Sequence, residues 1–193
     1  MKLSGNLEST EKNKVHFISL GCPKNLVDSE IMAGTLMKDG YEVVADAEGA
    51  DTVVINTCGF VEDSKKESIQ RILDMAQLKQ DGKIKKIVVA GCLTQRYKTD
   101  LVEGLPEADL FIGSGEFQNI SKILKNHQAG EKKKTFFNLP TYLQEDSTPR
   151  VNSQPKHRAY LKISEGCMKR CAFCAIPLIR GNLQSRSIPN IVN

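Results

Sequence analysis

Apolar residues in the first 127 positions come in short bursts, and their spacing switches between the two-residue period of a strand and the 3.6-residue period of a helix. The run 15–20 predicts a first strand, and a helix-like stretch over 25–38 stops at Gly40. Residues 41–45 predict a second strand. Residues 52–55 predict a third, β-branched and unbroken, as suits a strand buried on both faces. Ser64 and Glu67 have the spacing of a capping box, which would open a helix with Ile69, Ile72, Leu73 and Ala76 as its core-facing stripe. Residues 86–90 and 110–113 predict a fourth and a fifth strand. A last helix is expected over 117–126, with Ile120 and Leu124 on one face.

Strands that alternate with helices predict an α/β fold, a parallel sheet covered on both sides. The short units and the lack of a G-x-G-x-x-G after the first strand favour a flavodoxin-like strand order over a dinucleotide-binding one. Gly113-Ser114-Gly115 reads as a simple turn. The character then changes: Lys132, Lys133 and Lys134 are followed by Pro140, Pro149 and Pro155 among Ser, Thr and Asn, which suits a connection with a short strand at 135–138. Residues 158–163 look like the first strand of another domain. Only 19 residues follow Cys174, too few to complete a barrel or sheet, so the chain is expected to be part of a longer protein. The division this suggests is 1–130, a connection over 131–156, and the start of a second domain over 157–193.

Composition narrows the class. Hydrophobic residues at 40% and charged residues at 26% are a globular balance. No apolar run approaches the roughly 20 residues of a membrane span, and residues 1–14 are polar with no signal-peptide core, so a cytoplasmic protein without membrane contact is expected. The net charge of +4 is uneven. From position 151 onward Lys and Arg outnumber acids seven to one, while the rest of the chain is slightly acidic. Such a segment suits an anionic cofactor or RNA nearby, and equally an ordinary solvated basic face.

Six cysteines in a reducing compartment point to metal or redox chemistry rather than disulfides. Cys167-x-x-x-Cys171-x-x-Cys174 places three thiolates within eight residues on a loop. Three ligands on a [4Fe–4S] cluster leave one iron open to a substrate or cofactor. A zinc site completed from elsewhere, or Cys171 and Cys174 as a redox pair, are the alternatives, and neither explains the third cysteine at this spacing. Cys22, Cys58 and Cys92 are far apart in sequence, yet each follows an expected strand (the first, third and fourth) and each adjoins a glycine, Gly21, Gly59 or Gly91. In a flavodoxin-like order those strands are neighbours around the crevice where ligands bind, which favours a second cluster over three separate buried thiols.

At these residues the sequence resembles radical S-adenosylmethionine (SAM) enzymes, and in particular the methylthiotransferases. The resemblance is carried by Ser164-Glu165-Gly166-Cys167, by Cys171-Ala172-Phe173-Cys174-Ala175-Ile176-Pro177, and by Arg180-Gly181 with Ser185-Arg186 beyond. Gly21-Cys22, Asn56-Thr57-Cys58-Gly59 and Gly91-Cys92 match that family's N-terminal domain. Of its two main branches, Leu20-Gly21-Cys22-Pro23-Lys24-Asn25 through Glu30 resembles the one acting on a small-subunit ribosomal protein. The tRNA branch usually carries Gln-Met-Asn where this chain has Pro23-Lys24-Asn25.

The resemblance implies a flavodoxin-like N-terminal domain followed by the start of a radical SAM (β/α) partial barrel. It implies two [4Fe–4S] clusters and SAM. The cluster on Cys167, Cys171 and Cys174 would bind SAM and, given one electron from a flavodoxin or ferredoxin, cleave it to a 5′-deoxyadenosyl radical. Phe173 would pack on the SAM adenine or fill the barrel interior. The radical would take hydrogen from the β-carbon of an aspartate, and the cluster on Cys22, Cys58 and Cys92 would carry the methylated sulfur to it. An unactivated C–H bond offers no acid–base handle, so the cofactors carry the chemistry and the lack of a recognisable acid–base pair is no objection. Substrate recognition, with room for RNA contact, would fall to a C-terminal domain beyond position 193, and these residues alone are expected to be inactive. The competing classes are a tRNA adenosine methylthiotransferase, a non-catalytic iron–sulfur electron carrier, and an RNA-binding module with structural zinc.

Overall fold

A computed structural model describes residues 13–145 and 147–192; most of the polar N-terminal stretch lies outside them. The strands are β1 (Lys14–Ser19), β2 (Glu42–Val44), β3 (Thr52–Thr57), β4 (Lys86–Gly91), β5 (Leu110–Gly113) and β6 (Thr135–Phe136). They form one sheet in the order β2-β1-β3-β4-β5-β6, with every neighbouring pair parallel. The first five strands follow the flavodoxin-like order, and the chain reverses direction across the sheet between β1 and β3. β3 is buried at all six positions, as its β-branched run requires.

Strand alternation sorts the core into two layers. Val53, Ile55, Ile87, Val89 and Phe111 point to one face and pack with Ile72 and Met75 of α2 (Glu62–Gln80) and Leu93 and Leu101 of α3 (Cys92–Gly104). Val54, Val88, Ala90, Leu110 and Ile112 point to the other, against Met32 and Leu36 of α1 (Pro23–Lys38) and Ile120 and Leu124 of α4 (Ile120–Gln128).

Several local expectations need correction. α2 begins at Glu62, with Val61 as its N-cap and no side-chain cap, so Ser64 and Glu67 form no capping box. Two acids in the first turn, Glu62 and Asp63, complement the helix dipole there instead. Its buried stripe runs through Ser68, Ile72, Met75 and Ala76, and Leu73, one step round from Ile72, is exposed. The last helix opens with a 3-10 turn over Phe117–Asn119. The stretch 158–163 forms no strand. Instead a short β7 (Ser164–Glu165) pairs antiparallel with β8 (Gln184–Ser185). Between them lies α5 (Ile176–Arg180), and α6 (Ile188–Val192) follows.

The segment after β6 packs on α1. Glu30 accepts from the backbone N–H of Ser153 at 2.9 Å and pairs with Arg150 at 2.7 Å, while the bare Gly34 lets the chain at 149–150 lie directly on the helix.

Candidate metal centre

Parallel strands all present their carboxyl ends at one edge, and three cysteines stand there. Cys22 is the N-cap of α1, shortly after β1; Cys58 directly follows β3; Cys92 opens α3 directly after β4. These strands are consecutive neighbours at the point where the topology reverses, the usual ligand crevice of such sheets. All three thiols line one cavity of about 700 Å³. The N-termini of α1 and α3 open onto it, so two helix dipoles favour negative charge there.

Local geometry holds each cysteine. Gly21 has φ of +87°, and a Cβ on it would stand 2.6 Å from Cβ and 3.0 Å from Sγ of Cys58; only glycine lets this turn pass over that thiol. The Cys58 N–H donates to the hydroxyl of Ser68, which donates back to the Cys58 carbonyl, both at 3.1 Å. Asn25 ties the strand ends together, its amide donating to the carbonyls of Leu20 (3.1 Å) and Thr57 (2.9 Å).

The segment carrying the other cysteines closes the cavity. Ala175 and Ile179 pack on Cys92, and Ile176, Ile179 and Arg180 line the space. Arg180 is 4% exposed. Its Nη1 donates to Asp28 at 2.5 Å, and its Nη2 donates to Asn25 Oδ1 at 2.5 Å and to Cys92 Sγ at 3.1 Å. Lys162 bridges Asp28 (2.6 Å) and Glu165 (2.8 Å), and Lys24 stands 3.7 Å from Glu165 at the rim. Burial pushes the Cys92 thiol up to about 11 against the pull of Arg180. Burial also opposes the charges on Lys162 and Glu165, but their partners outweigh it, raising the lysine and lowering the acid.

Cys167, Cys171 and Cys174 lie on the loop between β7 and α5. Cys171 is exposed and the other two are half-buried. The Cys167 N–H donates to the Gly181 carbonyl at 3.2 Å, and the Cys174 N–H to that of Cys171 at 3.0 Å. Phe173 is 93% exposed and fills no interior among the described residues.

Among the described residues no three Cys, His, Asp or Glu side chains converge on a point where a single metal ion would sit. A cluster asks for something different, since each thiolate takes its own iron and the sulfurs stand around a larger body. The first set fits that demand, with three soft thiols around a cavity whose lining at Gly21 has been cleared of side chain. The second set fits by donor chemistry, with three thiols on one short loop.

Of the two cysteine sets expected from the sequence, the structure brings Cys22, Cys58 and Cys92 to one cavity and keeps Cys167, Cys171 and Cys174 on one loop; Asn25, Asp28, Ser68, Lys162, Glu165 and Arg180 were not expected as site residues. A signal was present in α1, where Asn25, Asp28 and Ser29 recur on the buried face with Met32. The basic segment is also less free than its charge suggests, because Lys162 and Arg180 are buried in ion pairs.

The cysteines at the crevice of this doubly wound sheet are thus covered by the helix that follows a C-x-x-x-C-x-x-C loop. Residues 14–113 match the sequence model described as "Uncharacterized protein family UPF0004", and the chain belongs to that family. It is 85% identical over 185 residues to the ribosomal protein uS12 methylthiotransferase RimO of Bdellovibrio bacteriovorus, covering 96% of this chain and 40% of that protein. It is 50% identical over 180 residues to the RimO of Caldicellulosiruptor saccharolyticus, covering 93% and 41%. The chain thus spans about 40% of the length of these relatives. Among solved structures, TsrM from Kitasatospora setae, a radical SAM methyltransferase with cobalamin and a [4Fe–4S] cluster bound, superposes with a TM-score of 0.60 at 13% identity. That match covers 94% of this chain and 46% of TsrM, and it bears on the fold alone.

Proposed function

We propose that this chain is the N-terminal part of a radical SAM methylthiotransferase that adds a methylthio group to the β-carbon of an aspartate in ribosomal protein uS12. The observation that carries the reading is the convergence of Cys22, Cys58 and Cys92 on one cavity, closed by the helix that follows Cys167, Cys171 and Cys174. Residues 1–130 form the methylthiotransferase domain, 131–156 the connection and 157–193 the beginning of the radical SAM domain, with β6 returning the connection to the sheet edge.

Cys22, Cys58 and Cys92 hold an auxiliary [4Fe–4S] cluster, and Cys167, Cys171 and Cys174 hold the one that binds SAM. When bound, these groups would pass on the electron taken from the reductant and supply the radical and the transferred sulfur, chemistry that no side chain can provide. The chain's own residues position them. Gly21 gives clearance over Cys58, the N-termini of α1 and α3 turn the positive ends of their dipoles to the cavity, and Ile176 and Ile179 shield it from water. Phe173 remains exposed on the loop and is available to stack on the SAM adenine. The partners are uS12 or the ribosome and a one-electron reductant such as flavodoxin or ferredoxin, in the cytoplasm. Among the described residues no helix is long and apolar enough to cross a membrane.

The test uses the full-length enzyme, reconstituted without oxygen and given SAM and reductant together with both uS12 and unmodified tRNA. Mass spectrometry should find one methylthio group on a uS12 aspartate. Label on tRNA instead would overturn the substrate and keep the chemistry. Intact SAM with no label on either would sink the enzyme reading in favour of an electron carrier.

A further inference from the structure

The reading above leaves Arg180 without a task beyond closing a cavity wall, yet its surroundings are more specific than a wall needs. It is the last residue of α5, and its guanidinium is almost fully buried. Each arm is committed: Nη1 to Asp28, and Nη2 to both Asn25 Oδ1 and Cys92 Sγ. A planar fork can satisfy these directions at once where a point charge cannot. The next residue, Gly181, accepts the backbone N–H of Cys167 through its carbonyl. One side chain and one peptide unit therefore span from the Cys92 sulfur to the backbone of the second cysteine set.

The state of Cys92 decides what that contact does. As a thiol, Cys92 donates to Asn25 Oδ1 at 3.2 Å. As an iron ligand it has no proton to give, and its sulfur only accepts. The donation from Arg180 Nη2 is then the favourable polar contact left to it, and it carries a positive charge. Asn25 gives up the thiol's donation but keeps a donor, because its oxygen also accepts from the same Nη2. Hydrogen bonds to cluster sulfurs and nearby charge are among the levers by which a protein sets a cluster's potential.

We propose that Arg180 is a positioning residue joining the two cysteine sets: its Nη2 donates to the Cys92 thiolate and raises the reduction potential of the auxiliary cluster. The inference rests on Cys22, Cys58 and Cys92 being cluster ligands, and the experiment separates the two. In the full-length enzyme, Cys167, Cys171 and Cys174 are all changed to Ala, so that only the auxiliary set can hold a cluster. Iron content and the midpoint potential, from a redox titration followed by electron paramagnetic resonance, are then compared for this parent, Arg180→Lys and Arg180→Gln. With iron content maintained, the midpoint should fall in Arg180→Lys, whose single ammonium cannot serve both Asp28 and Cys92, and fall further in Arg180→Gln. Should Arg180→Gln fail to fold, Arg180→Lys decides alone. Midpoints equal to the parent's overturn the role of Arg180 while leaving the cluster in place. A parent without iron overturns the cluster assignment and this inference with it.

Discussion

Gly21 is the glycine whose missing side chain makes room for a site thiol. Its positive φ and its approach to Cys58 are two separate demands, and Gly40 allows them to be separated, since it shares the positive φ with nothing within 4 Å of its would-be Cβ. Gly40→Ala should therefore cost only backbone strain, roughly 1–2 kcal/mol. Gly21→Ala adds a clash worth about 1–3 kcal/mol more and displaces Cys58. The expected outcome is a lower thermal midpoint for both variants, with loss of the auxiliary iron only in Gly21→Ala; equal iron in the two would refute the steric argument. At this scale the cysteines were legible because a parallel sheet fixes where strand ends lie, so a residue just after a strand has a known place. Arg180 was not legible as a site residue. Its importance comes from partners on another element, and a buried arginine leaves no periodic trace. The hints were its place in the Arg180-Gly181 pair that carries the family resemblance, without a role attached, and the polar residues on the buried stripe of α1, where Asn25 and Asp28 stand three apart.

The elements that were legible are those with strong periods: β1 to β5 fall where continuous apolar runs predict them, and so does most of α1. α3 was missed because it begins without a break from β4, has a polar composition, and carries non-helical geometry at Lys98. The stretch 158–163 meets a partner at its end, where the Ile163 carbonyl accepts the Arg186 N–H at 3.0 Å, and strand pairing begins one residue later with β7 on β8. Element packing gives a second prediction. A Cβ on Gly34 would stand 2.6 Å from the Arg150 nitrogen and 2.7 Å from the Pro149 carbonyl carbon, both backbone. Gly34→Ala should lift the 149–153 segment from α1, loosen the Glu30 contacts with Arg150 and Ser153, and cost about 1–3 kcal/mol despite the better helix propensity of alanine. Limited proteolysis should show new cleavage near these residues, and an unchanged pattern would count against the packing account. At the opposite edge of the sheet, Asp51 joins the starts of β1, β3 and β4. Burial works against its charge, but Lys85 at 2.6 Å and the Lys14 N–H at 2.9 Å outweigh that and hold its carboxyl below the usual range. A lowered folded-state value means the contribution is fully present above the unfolded value of about 3.9 and is lost as pH falls through the folded one. The exposed lysine makes the effect small. Asp51→Asn should flatten the acid limb of the urea midpoint against pH and leave its slope near neutrality alone.

Across the whole molecule, the long-range tie is the buried group of Asp28, Lys162, Glu165 and Arg180, which fastens the second cysteine loop to α1. Asp28 and Glu165 each face both cations, and Asp28, 1% exposed, makes the shorter contacts, 2.6 Å to Lys162 and 2.5 Å to Arg180 against 2.8 and 3.5 Å for Glu165. Asp28→Ala leaves Glu165 to compensate two buried cations and should cost about 3–5 kcal/mol, as expected when one partner of a buried pair is removed. Changing Lys162 to Met as well should recover part of that loss, because a neutral pair avoids the stranded charge. The unfolding midpoint of the full-length enzyme, followed by far-UV circular dichroism, reads both effects. A purely local role for Asp28 would end there, but the geometry requires more. Without it, Arg180 keeps only the longer Nη1 contact, to Glu165 at 3.5 Å, and Arg180 shares with Ala175 and Ile179 the covering of Cys92. In the cluster-free protein, alkylation of Cys92 should then speed up in Asp28→Ala, while Cys22, already exposed, reacts at its former rate. Equal acceleration at both cysteines would mean that the sheet edge itself had loosened. No acceleration at Cys92 would mean that α5 is held on the sheet by its apolar contacts, and that the buried charges do not bind the two parts together.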